Sequence, residues 1–283
     1  MFDTFERSRF LGKPIRLFRF DRQSVSWRYC TAEQNLTIGG FTYLAGQIDR
    51  DEIRQTAERA KDKLKIKLAY LRDPAAPELP VTQALGNNWN PYIPSDTIRV
   101  TCMATHLGDT DPPNVEWMGI VAQPEFTDTE LTLTCEPGLA IARAVNQGPK
   151  WQRGCWKTVY SNGLRGCNLD PATFAVSATL SAASGLTLTA AAFASAPLSL
   201  AGGWIEWTRV DGLVERRSIL AHSSSTITLI YGAADLAPGT ALVAKPACEQ
   251  TWAACDARSN TDNFGGAIYM PVTDPNQSSM SWG

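Results

Sequence analysis

The sequence predicts a mainly β protein of two domains, the second of them loop-rich and carrying four paired cysteines. Three observations lead there. Short runs of aromatic and β-branched residues, bounded by turn formers, recur between Pro14 and Cys135 and again between Phe174 and Tyr231. Nine tryptophans suit broad β surfaces or interfaces better than a compact helical bundle. A chain of 283 residues also exceeds most single hydrophobic cores, so two domains are expected.

The first domain is expected over residues 1–148. Pro14 to Arg22, Val25 to Thr31 and Leu36 to Leu44 read as strands. Gly39-Gly40 separates Leu36-Thr37-Ile38 from Phe41-Thr42-Tyr43 at the spacing of a tight hairpin. Arg50 to Lys67 holds eleven charged residues; it begins like a short helix and ends as the amphipathic strand Leu64-Lys65-Ile66-Lys67-Leu68. Its lysines, Lys61, Lys63, Lys65 and Lys67, form a stripe that reads as a solvated face, or alternatively as the wall of a channel passing a polyanion. Asp73 to Pro94 carries five prolines and reads as a long loop, with or without a short helix. Ile98 to Cys102 and Leu131 to Cys135 alternate cleanly, which puts Cys102 and Cys135 on apolar faces as small buried side chains. Cys30 lies off the Val25/Trp27/Tyr29 face, and the pattern leaves it unassigned. Val115 to Cys135 reads as a hairpin stopped by Glu136-Pro137-Gly138, and Leu139 to Gly148 as the linker.

The second domain is expected over residues 149–283, with a β insertion at about 168–247. Trp204 to Val210, Arg217 to Ala221 and Thr226 to Tyr231 alternate, and Asp211-Gly212 marks a turn between the first two. The uncharged stretch Pro171 to Ile205 is rich in Ser and Thr and broken by Gly185, Pro197 and Gly202-Gly203, so no stable membrane insertion is expected. The tail after Asn276 is Ser-rich.

Charge and motif content narrow the function classes. Net charge is −2, from 26 basic and 28 acidic residues, which gives no global field towards nucleic acid or membrane. The N-terminus has no apolar core of a signal peptide, so a reducing compartment is expected, and seven cysteines there point to metal before disulfides. No Gly-x-Ser-x-Gly, P-loop, Gly-x-Gly-x-x-Gly, His-Glu-x-x-His or Cys-x-x-Cys is present. Only two histidines occur, His106 and His222, and Ser223-Ser224-Ser225 after His222 reads as a turn. No catalytic residues are assigned and no enzyme is expected.

The remaining chemistry lies in Cys155, Cys167, Cys248 and Cys255. Their spacings, Cys-x11-Cys and Cys-x6-Cys, match neither a zinc ribbon nor a ferredoxin. Spacing alone leaves metal binding and four unrelated buried thiols open. Gly154 and Gly166 precede the first two cysteines and would let the backbone approach sulfur closely, and Trp156, Trp252 and Phe264 could shield a buried centre.

These residues resemble a known family. Trp151-Gln-Arg-Gly-Cys155, Arg165-Gly-Cys167-Asn-Leu-Asp170, Cys248 to Cys255, Asp262-Asn-Phe-Gly-Gly266 and Met270-Pro271 are similar to the C-terminal module of tailed-phage tail-tip hub proteins. That family includes the phage lambda minor tail protein L and the hub proteins of gene transfer agents. Gly39-Gly40-Phe41-Thr42-Tyr43 followed by Ile48-Asp49-Arg50-Asp51 resembles the opening of the family's hub barrel. The resemblance implies a tail-tube-like β-barrel followed by a module in which Cys155, Cys167, Cys248 and Cys255 hold a 4Fe–4S cluster, although the first pair is set wider here and the stretch between pairs is longer. It further implies a structural subunit of a siphophage-type tail tip, assembled in the host cytoplasm as a homotrimer. Its partners would be the distal tail protein, the central tip protein and the tape measure protein, with viral DNA passing through its lumen. A zinc-stabilised receptor- or carbohydrate-binding module is the alternative.

Overall fold

The computed structural model describes residues 6–8, 12–54, 62–73, 75–109, 111–138 and 151–271. The fold is mainly β, with 39% strand and 7% helix. The chain divides into two compact units, residues 1–145 and 146–283. The linker expected at 139–148, the start of the charged stretch around 55–61 and the Ser-rich tail lie outside the described residues.

Among the described residues, unit one holds a nine-stranded sheet. Its strands are β1 (Pro14–Arg22), β2 (Val25–Cys30), β3 (Leu36–Ile38), β4 (Phe41–Ala45), β5 (Ile48–Arg50), β6 (Leu64–Ala69), β7 (Arg99–His106), β8 (Asn114–Phe126) and β9 (Glu130–Pro137). They lie in the order β3-β4-β2-β1-β7-β8-β9-β6-β5. Gly39 and Gly40 both have positive φ, the conformation a two-residue hairpin turn between β3 and β4 needs.

This order forces the sheet to curl. Laid flat, β4 and β5 would stand seven strand spacings apart, about 34 Å. Only Gly46 and Gln47 join them, and three Cα steps reach at most about 11 Å. The chain therefore bridges the rolled ends directly. The Gly46 N–H donates to Cys30 O on the β2 side at 3.2 Å, and Gln47 O accepts from the Ala69 N–H on the β6 side at 3.0 Å. Arg16 of β1 pairs with Asp49 of β5 near the same join.

Rolling gives the sheet an inside. Phe18, Phe20, Tyr29, Leu64, Ile66, Leu68, Leu131 and Leu133 pack there, each at most 1% exposed. Cys102 and Cys135 join them as the alternation of their strands requires. Burial pushes the Cys102 thiol up to about 12 and raises that of Cys135 as well. The proline-rich stretch contributes a short helix, α1 (Gln83–Gly86), whose Leu85 is fully buried and is followed by buried Trp89 in the same core. Gly86 is required there, because a Cβ would come within 2.2 Å of the Tyr70 ring.

The outer face has a smaller core of Ile15, Leu17, Cys30, Tyr43 and Met103, with Leu36 and Ile38 of the β3–β4 hairpin against it. That covering accounts for Cys30, which alternation left unassigned. Of the lysine stripe, Lys63 pairs with Glu136 at 3.0 Å, and Lys67 stands opposite Asp49 in the β5–β6 register. The stripe is thus interleaved with carboxylates; Lys61 lies outside the described residues.

Unit two carries a seven-stranded sheet among its described residues. Its strands are β10 (Val176–Thr179), β11 (Ala182–Ser184), β12 (Thr187–Thr189), β13 (Trp204–Thr208), β14 (Val214–Ser223), β15 (Thr226–Leu229) and β16 (Ala241–Lys245), in the order β10-β16-β13-β14-β15-β12-β11. All seven fall between Cys167 and Cys248. β14 pairs with β13 through its first half and with β15 through its second, and the register shifts between Ile219 and Ala221. A helical turn, α2 (Ala191–Ala194), drops Phe193 into a core with Leu180, Leu200, Ile205, Ile219 and Leu229. His222 is a structural cross-link here: Nδ1 accepts from the Leu200 N–H at 3.2 Å, which leaves Nε2–H to donate to Ser224 O or Phe193 O. Glu215 and Arg217 form a buried pair at 3.1 Å, and the guanidinium lies over the Trp207 and Tyr231 rings. No helix among the described residues is long and apolar enough to cross a membrane.

Candidate metal centre

Outside that sheet, the described residues of unit two are mostly loop and short helical turns held by specific hydrogen bonds, and the four cysteines sit among them. Cys155 and Cys167 flank irregular chain. Cys248 follows β16, and Cys255 lies in a short helix, α3 (Trp252–Asp256), capped where Thr251 Oγ1 accepts from the Ala254 N–H at 3.1 Å. A 3-10 turn, Thr261–Asn263, leads into Phe264-Gly265-Gly266.

The two cysteine-bearing segments are stitched together by backbone. The Cys155 N–H donates to Gln250 O at 2.7 Å, and the Ala267 N–H donates to Gln152 O at 2.8 Å. Gly266 packs so closely that a Cβ would lie 2.3 Å from Arg153 O and 2.8 Å from Gly154 C. Asn260 binds the other cysteine: its amide donates to Cys167 O at 2.8 Å and to Cys167 Sγ at 3.5 Å. Asn263 extends the network, accepting from Asn168 at 3.2 Å and donating to Asn260 at 2.8 Å. Residues about a hundred positions apart are thereby fixed against one another.

All four cysteines are free thiols. Cys155, Cys167 and Cys255 are 8%, 8% and 7% exposed, while Cys248 is intermediate. Burial raises the Cys255 thiol above its ordinary range, and the charges of Cys155, Cys248 and Cys167 raise it further. The Arg258 guanidinium opposes that shift; it is held by Ala254 O and Ala247 O, both at 2.7 Å. Donors point at sulfur. The Gly265 N–H lies 3.3 Å from Cys155 Sγ, and the Gln250 N–H lies 3.4 Å from Cys248 Sγ. The Cys255 S–H donates to Asn260 O at 3.0 Å. The N–H groups aimed at Cys155, Cys167 and Cys248 favour thiolate sulfur, whose charge such donors stabilise. Among the described residues, no three Cys, His, Asp or Glu side chains are grouped so as to hold a single metal ion.

Sequence reasoning placed the donors imperfectly. Gly166 is required, since a Cβ would meet Ser161 O at 2.5 Å, whereas a Cβ on Gly154 would meet nothing nearer than Gln250 O at 3.5 Å. The donors are instead Gly265, Gln250 and Asn260. Trp156 lies beside Gly265, with its Nε1 3.1 Å from where a Cβ would stand. Trp252 packs edge-on against Phe264, with centroids 5.2 Å apart, and is still 43% exposed, so it shields one side only in part. Tyr160 ties the loop region to the sheet, donating to Pro246 O at 3.0 Å with its ring edge against Trp204.

Comparison with known proteins adds the relatives. A protein of Xylella fastidiosa (strain 9a5c), described as an uncharacterized protein, is 33% identical, and the match covers 100% of both chains. The chain belongs to that protein's family. Residues 199–274 match the family described as phage conserved hypothetical protein BR0599, a span that takes in β13 to β16, Cys248, Cys255 and the Gly265-Gly266 segment. A chain from a structure titled "Virion of native gene transfer agent (GTA) particle" has the same fold, with a TM-score of 0.74 at 17% identity over 99% of this chain and 97% of that one.

Proposed function

We propose that the protein is a structural subunit of a phage-type virion, a hub ring at the tip of a siphophage-type tail, whose second unit is closed by a 4Fe–4S cluster on Cys155, Cys167, Cys248 and Cys255. The observation that carries this is a set of four free thiols from two segments about eighty residues apart, three of which, Cys155, Cys167 and Cys248, have N–H donors at their sulfurs. The fold shared with a virion chain along nearly the whole length, and the phage family over residues 199–274, support the setting.

The residues present fit the cluster. Three thiols are buried, all four are unpaired, and Arg258 places a cation beside them. A bound cluster supplies four strong cross-links. Gly265, Gln250 and Asn260 stabilise charge on sulfur, while Gly166 and Gly266 permit the backbone approaches that set the thiols in place. A loop region with little apolar core gains from such a centre, as small metal-stabilised domains do. The role is mechanical, with no enzymatic step.

In this reading the protein assembles in the host cytoplasm as a homotrimer between the distal tail protein and the central tip protein, near the tape measure protein, around a lumen that passes DNA. Electron microscopy of particles carrying a tag on this chain tests it. Three copies in a ring at the distal end of the tail support the proposal. Label on the head, or absence from the particle, overturns it.

A further inference from the structure

The four thiols are not equivalent, and their differences point to one as the exchangeable corner. Cys155 and Cys167 are held by donors 110 and 93 residues away, Gly265 and Asn260, so neither sulfur moves without tertiary rearrangement. Cys255 is buried at the end of α3. Cys248 differs on both counts: it is more exposed, and its sulfur is met by the N–H of Gln250 only two residues on. Its backbone stays fixed, because Arg258 grips Ala247 O at 2.7 Å.

Cys248 also opens onto a cleft of about 550 Å³. One wall is Leu198, Ser199 and Ala201, from the loop before β13; the other is Ala253 and Ala257, from α3 and its end. These walls are mostly small side chains, which leave room for a small thiol or chelator. Glu249 and Arg258 line the same cleft, so its charged groups are of both signs.

We propose that Cys248 is the replaceable ligand of the centre, the thiol at which iron and sulfide are loaded and lost by way of this cleft. The proposal rests on the four-cysteine reading and adds an order to it. In this order Cys155, Cys167 and Cys255 would hold the centre throughout, and Cys248 would close last and open first.

The test uses the full chain, purified without oxygen. Iron loss to excess EDTA is followed by absorbance and iron analysis. Cys248→Ser is expected to retain iron but lose it roughly tenfold faster or more, a change of the size seen when a metal's supporting contacts are removed. Cys155→Ser, Cys167→Ser and Cys255→Ser are expected to hold little iron. Ala201→Phe, which narrows the cleft without touching a cysteine, should keep the iron content and slow its loss severalfold. On the iron-free chain, iodoacetamide followed by mass spectrometry should label Cys248 ahead of the other three. Loss of iron from Cys248→Ser as complete as from the other three variants overturns the proposal, as does equal labelling of the four thiols. A wild-type chain without iron overturns the four-cysteine reading itself, and this proposal with it.

Discussion

Replacing Gly266 with alanine tests the stitching of the cysteine module more sharply than changing a cysteine, because no ligand is removed. A Cβ at 266 would lie 2.3 Å from Arg153 O, 2.8 Å from Gly154 C and 2.7 Å from Phe264 Cε1. The carbonyl contact is about 1 Å inside the closest C···O approach tolerated in proteins. Two of the three atoms are backbone, held by the Cys155–Gln250 and Ala267–Gln152 hydrogen bonds, so they have little room to yield. Overpacking of this kind costs about 2–3 kcal/mol. Spread over a unit of this size, that lowers Tm by roughly 6–12 °C. Thermal unfolding of the full chain, followed by tryptophan fluorescence under reducing, oxygen-free conditions, reads the effect. Gly154→Ala is the matched control: it lies on the opposite side of the same contact, its own Cβ would meet nothing nearer than 3.5 Å, and it should stay within about 0.5 kcal/mol of wild type. Equal effects at the two glycines would refute the claim that the Gly265-Gly266 segment locks onto Arg153-Gly154.

Three further outcomes follow from the packing. Glu215→Gln leaves the buried Arg217 guanidinium without its carboxylate and should cost about 3–5 kcal/mol in urea unfolding, whereas Glu215→Leu combined with Arg217→Met should cost much less. Leu85→Ala empties a fully buried position of the helix packed inside the curled sheet and should lower stability by about 2–5 kcal/mol in urea unfolding. The buried thiols give a pH window. Cys102 rises from 9.0 to about 12 because burial favours the neutral form, so its stabilising contribution is complete below pH 9 and is lost as pH climbs towards 12. Urea midpoints measured between pH 8 and 11 should therefore decline, and Cys102→Ala should flatten the decline.

How far the sequence could be read depended on the range of the interaction. The β3–β4 hairpin was legible because two adjacent glycines set its turn. Cys102 and Cys135 were legible because period-two alternation decides which face a strand residue occupies. Cys30 was not, because its covering comes from a hairpin that folds over the far side of β1 and β2. The curl of the first sheet escaped notice as well, since it follows from strand order and the two-residue bridge at Gly46-Gln47. At the centre, the family resemblance picked out the four cysteines and the Asn263-Phe264-Gly265-Gly266 segment. The roles of the neighbouring residues were only partly visible. Gly265 and Asn260 act on sulfurs about a hundred residues away, and no local pattern encodes such pairs. Gly166 and Gly266 are the glycines whose added Cβ would clash, with Ser161 O and Arg153 O respectively, and only the first of them stood beside a cysteine in the sequence.

The account turns on whether Cys155, Cys167, Cys248 and Cys255 hold one shared cluster. Iron, acid-labile sulfide and zinc measured on the full chain, purified without oxygen, address that directly. The account predicts a brown protein with broad absorption near ~400 nm and about four iron and four sulfide per chain, all lost in Cys155→Ser and retained in Cys135→Ser. A colourless protein with one zinc per chain, or with no metal, would contradict it.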